Sequence, residues 1–344
     1  MPDVQTNQSD ATSVDASRGD LIRRTFQAML MSRTLESKLG SLYKAGQIVG
    51  GVYLGKGQEA VSAALGTNLT KGRDIFAPLI RDQAGRTAFG EDLLDPIRTY
   101  LGSVEGPMRG RDGNIHRGRP SEGMPAMISH LGALIPMVAG MLMARRMQGR
   151  MEGTVGATCI GEGGSSTGAF HEGLNMAAVE KLPFVLVLAN NQFAYSTPTD
   201  EQFACERLVD RARGYGVAGH EVDGTNMLDC VEVMNTAVSN ARAGEGPQLV
   251  VANLLRLSGH GEHDDGFYVP KELKESAVGQ DCLAIGEQQM LEGGHSTAEE
   301  IADWKREYAE AVQAAVATVQ QEPKPDPYQD DWSAFSTPGI SGIH

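Results

Sequence analysis

The densest chemical signal in the chain is Gly161-Glu162-Gly163-Gly164-Ser165-Ser166, which follows one apolar run and opens a helical one, with Asn190-Asn191 closing the next apolar run. Glycines at such a junction let backbone amides and a helix N-terminus approach a phosphate. A dinucleotide site is the obvious rival, and two features count against it. Glu162 would set a carboxylate against the pyrophosphate, and the second strand ends in asparagines rather than in the acid that grips a ribose. A carboxylate beside a diphosphate makes sense with a cation between them, and magnesium takes carboxylate, amide and phosphate oxygens. A plain turn followed by a helix cap is the alternative that spacing alone leaves open.

Three other places carry reactive types. Arg81 follows a strand end, where a planar multi-donor cation suits a phosphate, or a salt bridge with a nearby acid. His260 stands in Ser258-Gly259-His260-Gly261-Glu262-His263-Asp264-Asp265; its histidines and aspartates suggest zinc, but no cysteine or third imidazole lies near. The segment from Arg109 to Arg119 clusters arginines that would attract an anion, seal a subunit contact or simply face water.

These residues need a frame. Asp74 to Ile80, Thr154 to Ile160, Phe184 to Ala189 and Gln248 to Leu255 read as strands buried on both faces, with a crossover helix over Thr167 to Lys181. The rhythm predicts an α/β fold, a parallel sheet with helices on both faces. Ligands of such sheets bind beyond the carboxyl ends of the strands, here at Arg81-Asp82, Gly161 to Ser166, Asn190 to Phe193 and Ser258 to Asp265. Residues 1–19 are polar and read as a flexible segment. The α/β domain spans 20–275, beginning with a helix whose apolar face runs from Leu21 to Leu42. Residues 276–344 form a helical segment and tail, with Ser296 and Glu299 as a capping box and a stripe from Ile301 through Trp304 and Tyr308 to Val319. Beyond Pro323 the tail reads as an arm or as disordered.

With 30 Lys+Arg against 44 Asp+Glu, the net charge of −14 argues against nucleic acid as a partner. The longest apolar run, Leu131 to Ala144, is too short to cross a bilayer, so no membrane contact is expected. The four cysteines lack pair spacing, and the N-terminus is not a secretory signal; a cytoplasmic location is expected.

The stretch from Gly161-Glu162-Gly163 to Asn190-Asn191 resembles the thiamine diphosphate motif. Asn191-Gln192-Phe193-Ala194-Tyr195-Ser196-Thr197-Pro198-Thr199 resembles the α subunit of the branched-chain 2-oxoacid dehydrogenases. The likeness extends from about Leu21 to the C-terminal helix. It implies a thiamine diphosphate-binding fold of the diphosphate type, with Glu162, Asn191 and the Phe193 carbonyl as magnesium ligands. Gly161, Gly163 and Gly164 would lie against the diphosphate and Arg81 would pair with it. Ser129 and Leu131 match the segment that touches the aminopyrimidine. His260 matches a histidine that anchors the cofactor and assists acyl transfer, and Tyr53 a position near the acyl pocket.

The chain also departs from its relatives. Ile80 replaces an aromatic residue, Ala189 an arginine, and Gly261 a serine that is phosphorylated in mammals; Ile128, Ala133 and Leu134 cannot supply a potassium site. No second sheet is evident, so the resemblance implies a β subunit that brings the pyrimidine-binding domain and its activating glutamate, in an α2β2 assembly. The segment Val138 to Arg146, with Gly140 and Ala144 four apart, offers a small-residue face for such an interface or for packing within the subunit. The downstream acceptor would be a lipoyl-bearing acyltransferase and the substrate a 2-oxo acid, pyruvate or branched-chain. Acetoin dehydrogenase shares this scaffold, and a non-catalytic regulatory homologue is the reading that Ile80 and Ala189 favour.

Overall fold

Alternating side chains on each apolar run have to be buried on opposite faces, and this decides the architecture. The computed structural model describes residues 8–330 and 332–333. The elements run α1 (Gln8–Lys44), α2 (Glu59–Asn68), β1 (Ile75–Ala77), α3 (Gln83–Phe89), α4 (Leu94–Leu101), α5 (Leu134–Met147), β2 (Gly156–Gly161), α6 (Gly168–Val179) and β3 (Phe184–Asn190). There follow a short antiparallel pair, β4 (Phe193–Ala194) and β5 (Thr197–Pro198), then α7 (Arg211–Tyr215), β6 (Ala218–Asp223), α8 (Met227–Arg242) and β7 (Gln248–Asn253). Three helices close the chain, α9 (Lys271–Lys274), α10 (Cys282–Glu292) and α11 (Ala298–Gln320).

The main sheet has the order β1-β2-β3-β7-β6, with every pairing parallel. Ala157, Cys159, Val185, Val187, Val250 and Ala252 join the core shared with α1, α2, α8 and α10. Their neighbours Ile160, Leu186, Leu188, Leu249 and Val251 join the opposite core, with α5, α6 and α7. The expected parallel sheet between two helical layers is therefore present. Its first strand is shorter than the run Asp74 to Ile80, because Pro78 has no N–H to give a ladder. The edge strand β6 was not foreseen: five of its six residues are at least partly exposed, so it carries no apolar signal.

Helix α1 begins at Gln8 rather than near Asp20, and residues 1–7 lie outside the described residues. Extending a helix that is already nucleated by the buried stretch from Phe26 to Leu42 costs little. The capping box of α11 is displaced by one residue from the expected Ser296 and Glu299. Thr297 accepts from the Glu300 amide at 3.2 Å, while the Glu300 carboxylate accepts from the Thr297 amide at 2.9 Å. Ser296 is buried and donates its hydroxyl to Glu300.

Of the C-terminal stripe, Ile301 is buried with α1 and α10, while Val312 and Val319 pack with α1 and α4. The tail is tied down as far as Ser333. Glu322 takes a forked contact from Arg98, Val104 donates to the Pro323 carbonyl, and Arg111 reaches Asp330. On α5, Gly140 and Ala144 are exposed, so that small-residue face is not used for packing within the subunit.

Candidate functional site

The register Gly161↔Ala189 sets the ends of β2 and β3 side by side, which places Glu162 next to Asn191. The Asn191 amide donates to Glu162 Oε2 at 3.1 Å, and Gln202 Nε2 donates to Oε1 at 3.3 Å. Glu162 is 1% exposed, and burial holds its pKa above the ordinary carboxylate value. Ionised, this group lacks a full countercharge. Asn191 donates Nδ2 to Gln58, whereas its Oδ1 is buried without a hydrogen-bond partner. An orphaned acceptor of this kind is costly unless something fills it.

A carboxylate and an unpaired amide oxygen together suit a hard divalent cation. Both line a cavity of about 420 Å³ at the carboxyl ends of the strands. A Cβ placed on Gly161 would meet nothing within 4 Å, so that flank opens into free space. One on Gly163 would lie 2.4 Å from the Ala194 Cβ, and one on Gly164 would press on Ile160 at 2.8 Å. Glycine at 163 and 164 is thus required by the protein's own packing, and glycine at 161 is not.

The Phe193 carbonyl, which the resemblance gives to the metal, accepts a hydrogen bond from Arg256 Nη1 at 3.1 Å. A carbonyl keeps a second lone pair for another partner. Arg256 is 4% exposed and was missed by the sequence reading. It also donates to the carbonyls of Ser258 and Tyr195 and to the Tyr268 hydroxyl, so it fixes the loops after β3 and β7 to each other. An arginine set between Leu254-Leu255 and Leu257 was its only signal. In the loop that it holds, Gln192 and Tyr195 adopt left-handed backbone angles, φ 76° and 57°, which are uncommon for residues with a side chain.

Arg81 reaches the cavity but is already occupied on one side: it donates to the Leu54 carbonyl at 2.8 Å and to the His260 carbonyl at 2.6 Å. Burial and the neighbouring Arg256 lower its pKa to about 10. Glu36 supports this arrangement from α1 by accepting from the Gly55 amide at 2.8 Å, beside the carbonyl that Arg81 grips. Burial and nearby Glu59 push Glu36 up to about 8. Neither Glu36 nor Gln58 carried a sequence signal.

His260 lines the cavity, with its amide bonded to Asp264 and its ring 4.5 Å from that of Tyr195. Burial, Arg81 and Arg256 lower its pKa to about 4, which makes it a neutral base near pH 7. Tyr53 packs edge-on against His260 with the ring centroids 5.3 Å apart, and it stands behind that ring rather than in the cavity wall. Leu131 is in the wall, and Ser129 is exposed outside it. Ile80 and Ala189, the two departures, add aliphatic surface to the cavity. No cluster of three or more His, Cys, Asp or Glu that could hold a metal occurs among the described residues, so zinc at His260 to Asp265 has no ligand set.

The arginine-rich loop proves to be an internal fastener. Arg117 is fully buried and forks onto Glu91, which Arg86 shares, and Arg119 grips Asp95 at 2.6 Å. No helix among the described residues is long and apolar enough to cross a membrane, and the four cysteines are free.

Comparison with known proteins places the chain. Residues 27–328 match the family model for the dehydrogenase E1 component. The α subunit of acetoin:2,6-dichlorophenolindophenol oxidoreductase from Cupriavidus necator is 33% identical, over 88% of this chain and 90% of its own length. The 2-oxoisovalerate dehydrogenase α subunit of Bacillus subtilis is 32% identical over 78% and 81%. The pyruvate dehydrogenase E1 component α subunit of Zymomonas mobilis is 31% identical over 72% and 69%.

Proposed function

Because the chain belongs to the dehydrogenase E1 component family, we propose that it is the α subunit of a 2-oxoacid dehydrogenase that binds magnesium thiamine diphosphate, decarboxylates a 2-oxo acid and passes the acyl group to a lipoyl-bearing acyltransferase. One observation carries the reading: Glu162 and Asn191 offer a buried carboxylate and an unpaired carboxamide oxygen to a cavity lined by glycine and arginine. Thiamine diphosphate, when bound, supplies the ring that accepts the electrons left by departing carbon dioxide. This chain's contribution is to hold and to orient. Glu162, Asn191 and the second lone pair of the Phe193 carbonyl would ligate the cation. Gly161 would admit the diphosphate, and Arg81 and Arg256 would balance its charge. Neutral His260 would accept or return a proton at the cavity mouth.

The β subunit that relatives named as α subunits imply would bring the pyrimidine-binding domain, and the exposed face of Gly140 and Ala144 is a surface on which another subunit could close. Acetoin is the second substrate reading, favoured by the relative from C. necator, which matches 88% of the chain. Titration calorimetry of the chain with its β partner tests the proposal. Thiamine diphosphate should release binding heat only with magnesium present, and turnover of pyruvate, 2-oxoisovalerate and acetoin then separates the substrates. Absence of binding heat in the intact assembly would overturn it.

A further inference from the structure

In the loop from Arg109 to Arg119, Arg111, Arg117 and Arg119 are tied to acids, and between the first two of them stands a half-buried imidazole. His116 Nδ1 lies 2.6 Å from Asp112 Oδ2, and His116 Nε2 meets the Ser129 hydroxyl. The carboxylate is itself fixed, because Asp112 Oδ1 accepts from the Asn114 amide at 2.7 Å. The loop cannot drift, since Arg117 is locked onto Glu91, Arg119 onto Asp95 and Arg111 onto Asp330.

Donor and acceptor roles follow along this chain of groups. A carboxylate only accepts, so Nδ1 carries the proton. A neutral imidazole has one N–H, so Nε2 must accept, and the Ser129 hydroxyl donates to it. The serine's one proton is then spent, and only lone pairs remain for anything beyond. Leu131, two residues on, is in the wall of the cavity, while Ser129 is exposed just outside it. A group that approaches the Ser129 side chain would therefore meet an oxygen that can accept but not donate.

We propose that Asp112 and His116 are positioning residues that fix the Ser129 hydroxyl as a hydrogen-bond acceptor, selecting a heterocycle that carries an exocyclic amino group over one that carries an oxo group. The inference rests on the reading above, in which Ser129 lies against the cofactor ring. An amino group gives the serine oxygen a proton, whereas an oxo group sets lone pair against lone pair.

The test is a ratio of affinities. Calorimetry on the chain assembled with its β partner compares thiamine diphosphate with oxythiamine diphosphate, whose ring amino group is replaced by oxygen. Asp112→Asn lets the ring reverse its tautomer and so lets Ser129 donate outward; the preference for the amino ligand should fall about tenfold, the worth of one hydrogen bond of this kind. Ser129→Ala should compress the preference as well, and Asp112→Asn added to Ser129→Ala should change it no further. Equal weakening of both ligands in Asp112→Asn, or an unchanged ratio, overturns the selector, because a merely structural loop would do just that. Absence of binding for either ligand in the unaltered assembly overturns the cofactor reading, and the selector with it.

Discussion

Replacing Glu162 by Gln separates two properties that a structural carboxylate would change together. In the unaltered chain the side chain is 1% exposed and accepts from the Asn191 amide and from Gln202. The substituted amide keeps an oxygen for Asn191. Gln202 can turn its own amide and accept from the new NH2 group, giving up the bond that its Nε2 donates to the Thr197 carbonyl at 2.8 Å. Both contacts to residue 162 survive and the buried charge goes, which offsets the lost Thr197 bond, so without divalent ions stability should stay within about 1 kcal/mol, a Tm change of no more than about 3 °C. The sign of the pH dependence agrees. Burial holds the folded-state pKa above the unfolded value of about 4.3. The stability from this group is complete below that value and is lost as pH rises through the raised one, and the Gln variant removes the loss.

Metal-dependent binding should move the other way. A cation bound in the cavity loses its one charged protein ligand, a cost of about 3 kcal/mol or more, which weakens magnesium-dependent binding of thiamine diphosphate above a hundredfold. Scanning calorimetry without divalent ions and titration calorimetry with magnesium read the two effects. Cofactor binding within tenfold of the unaltered protein, or a metal-free Tm lowered by several degrees, would refute the reasoning.

Two further outcomes test the surroundings. Imidazole NMR should find His260 neutral down to about pH 4, with Arg81→Gln raising its titration because one of the two neighbouring cations is removed. Stability held by that neutral ring is present above the unfolded histidine pKa of about 6.5 and lost as pH falls through about 4; a His260 titration near 6.5 in the unaltered chain would count against the geometry. Arg33→Met should destabilise the fold by about 3–5 kcal/mol in urea unfolding, because Arg33 bridges Asp281 and the 1% exposed Glu59 and its loss strands a buried carboxylate. Adding Glu59→Gln should recover part of that loss, and additivity of the two changes would argue against the coupling.

The central strands and the Glu162–Asn191 juxtaposition were legible because burial on both faces writes continuous apolar runs, and because parallel strands bring their carboxyl ends together. Other features left fainter marks. Strand β6 looks like a loop since its residues are mostly exposed, and only its ladder to β7 defines it. Arg256, Gln58 and Glu36 work through contacts made across long stretches of chain, such as the bond from Asn191 to Gln58, which no local pattern encodes. The clustered arginines misled for a related reason. Exposure cannot be read from charge, and Arg117, the most buried of them, has its countercharge on Glu91 in a distant loop.

The doubled asparagine at the end of β3 has two jobs. Asn190 donates its side-chain amide to Asn253 Oδ1 at 2.8 Å and stitches β3 to β7, while Asn191 turns toward the cavity. A slip of one residue along this strand would still deliver an asparagine to one of the two stations, so residue identity alone does not protect the alignment. The guard is further back, where Leu186 and Val187 belong to opposite cores and would have to trade places. Fidelity at the chemical end of the strand is thus enforced by greasy residues that never touch a ligand.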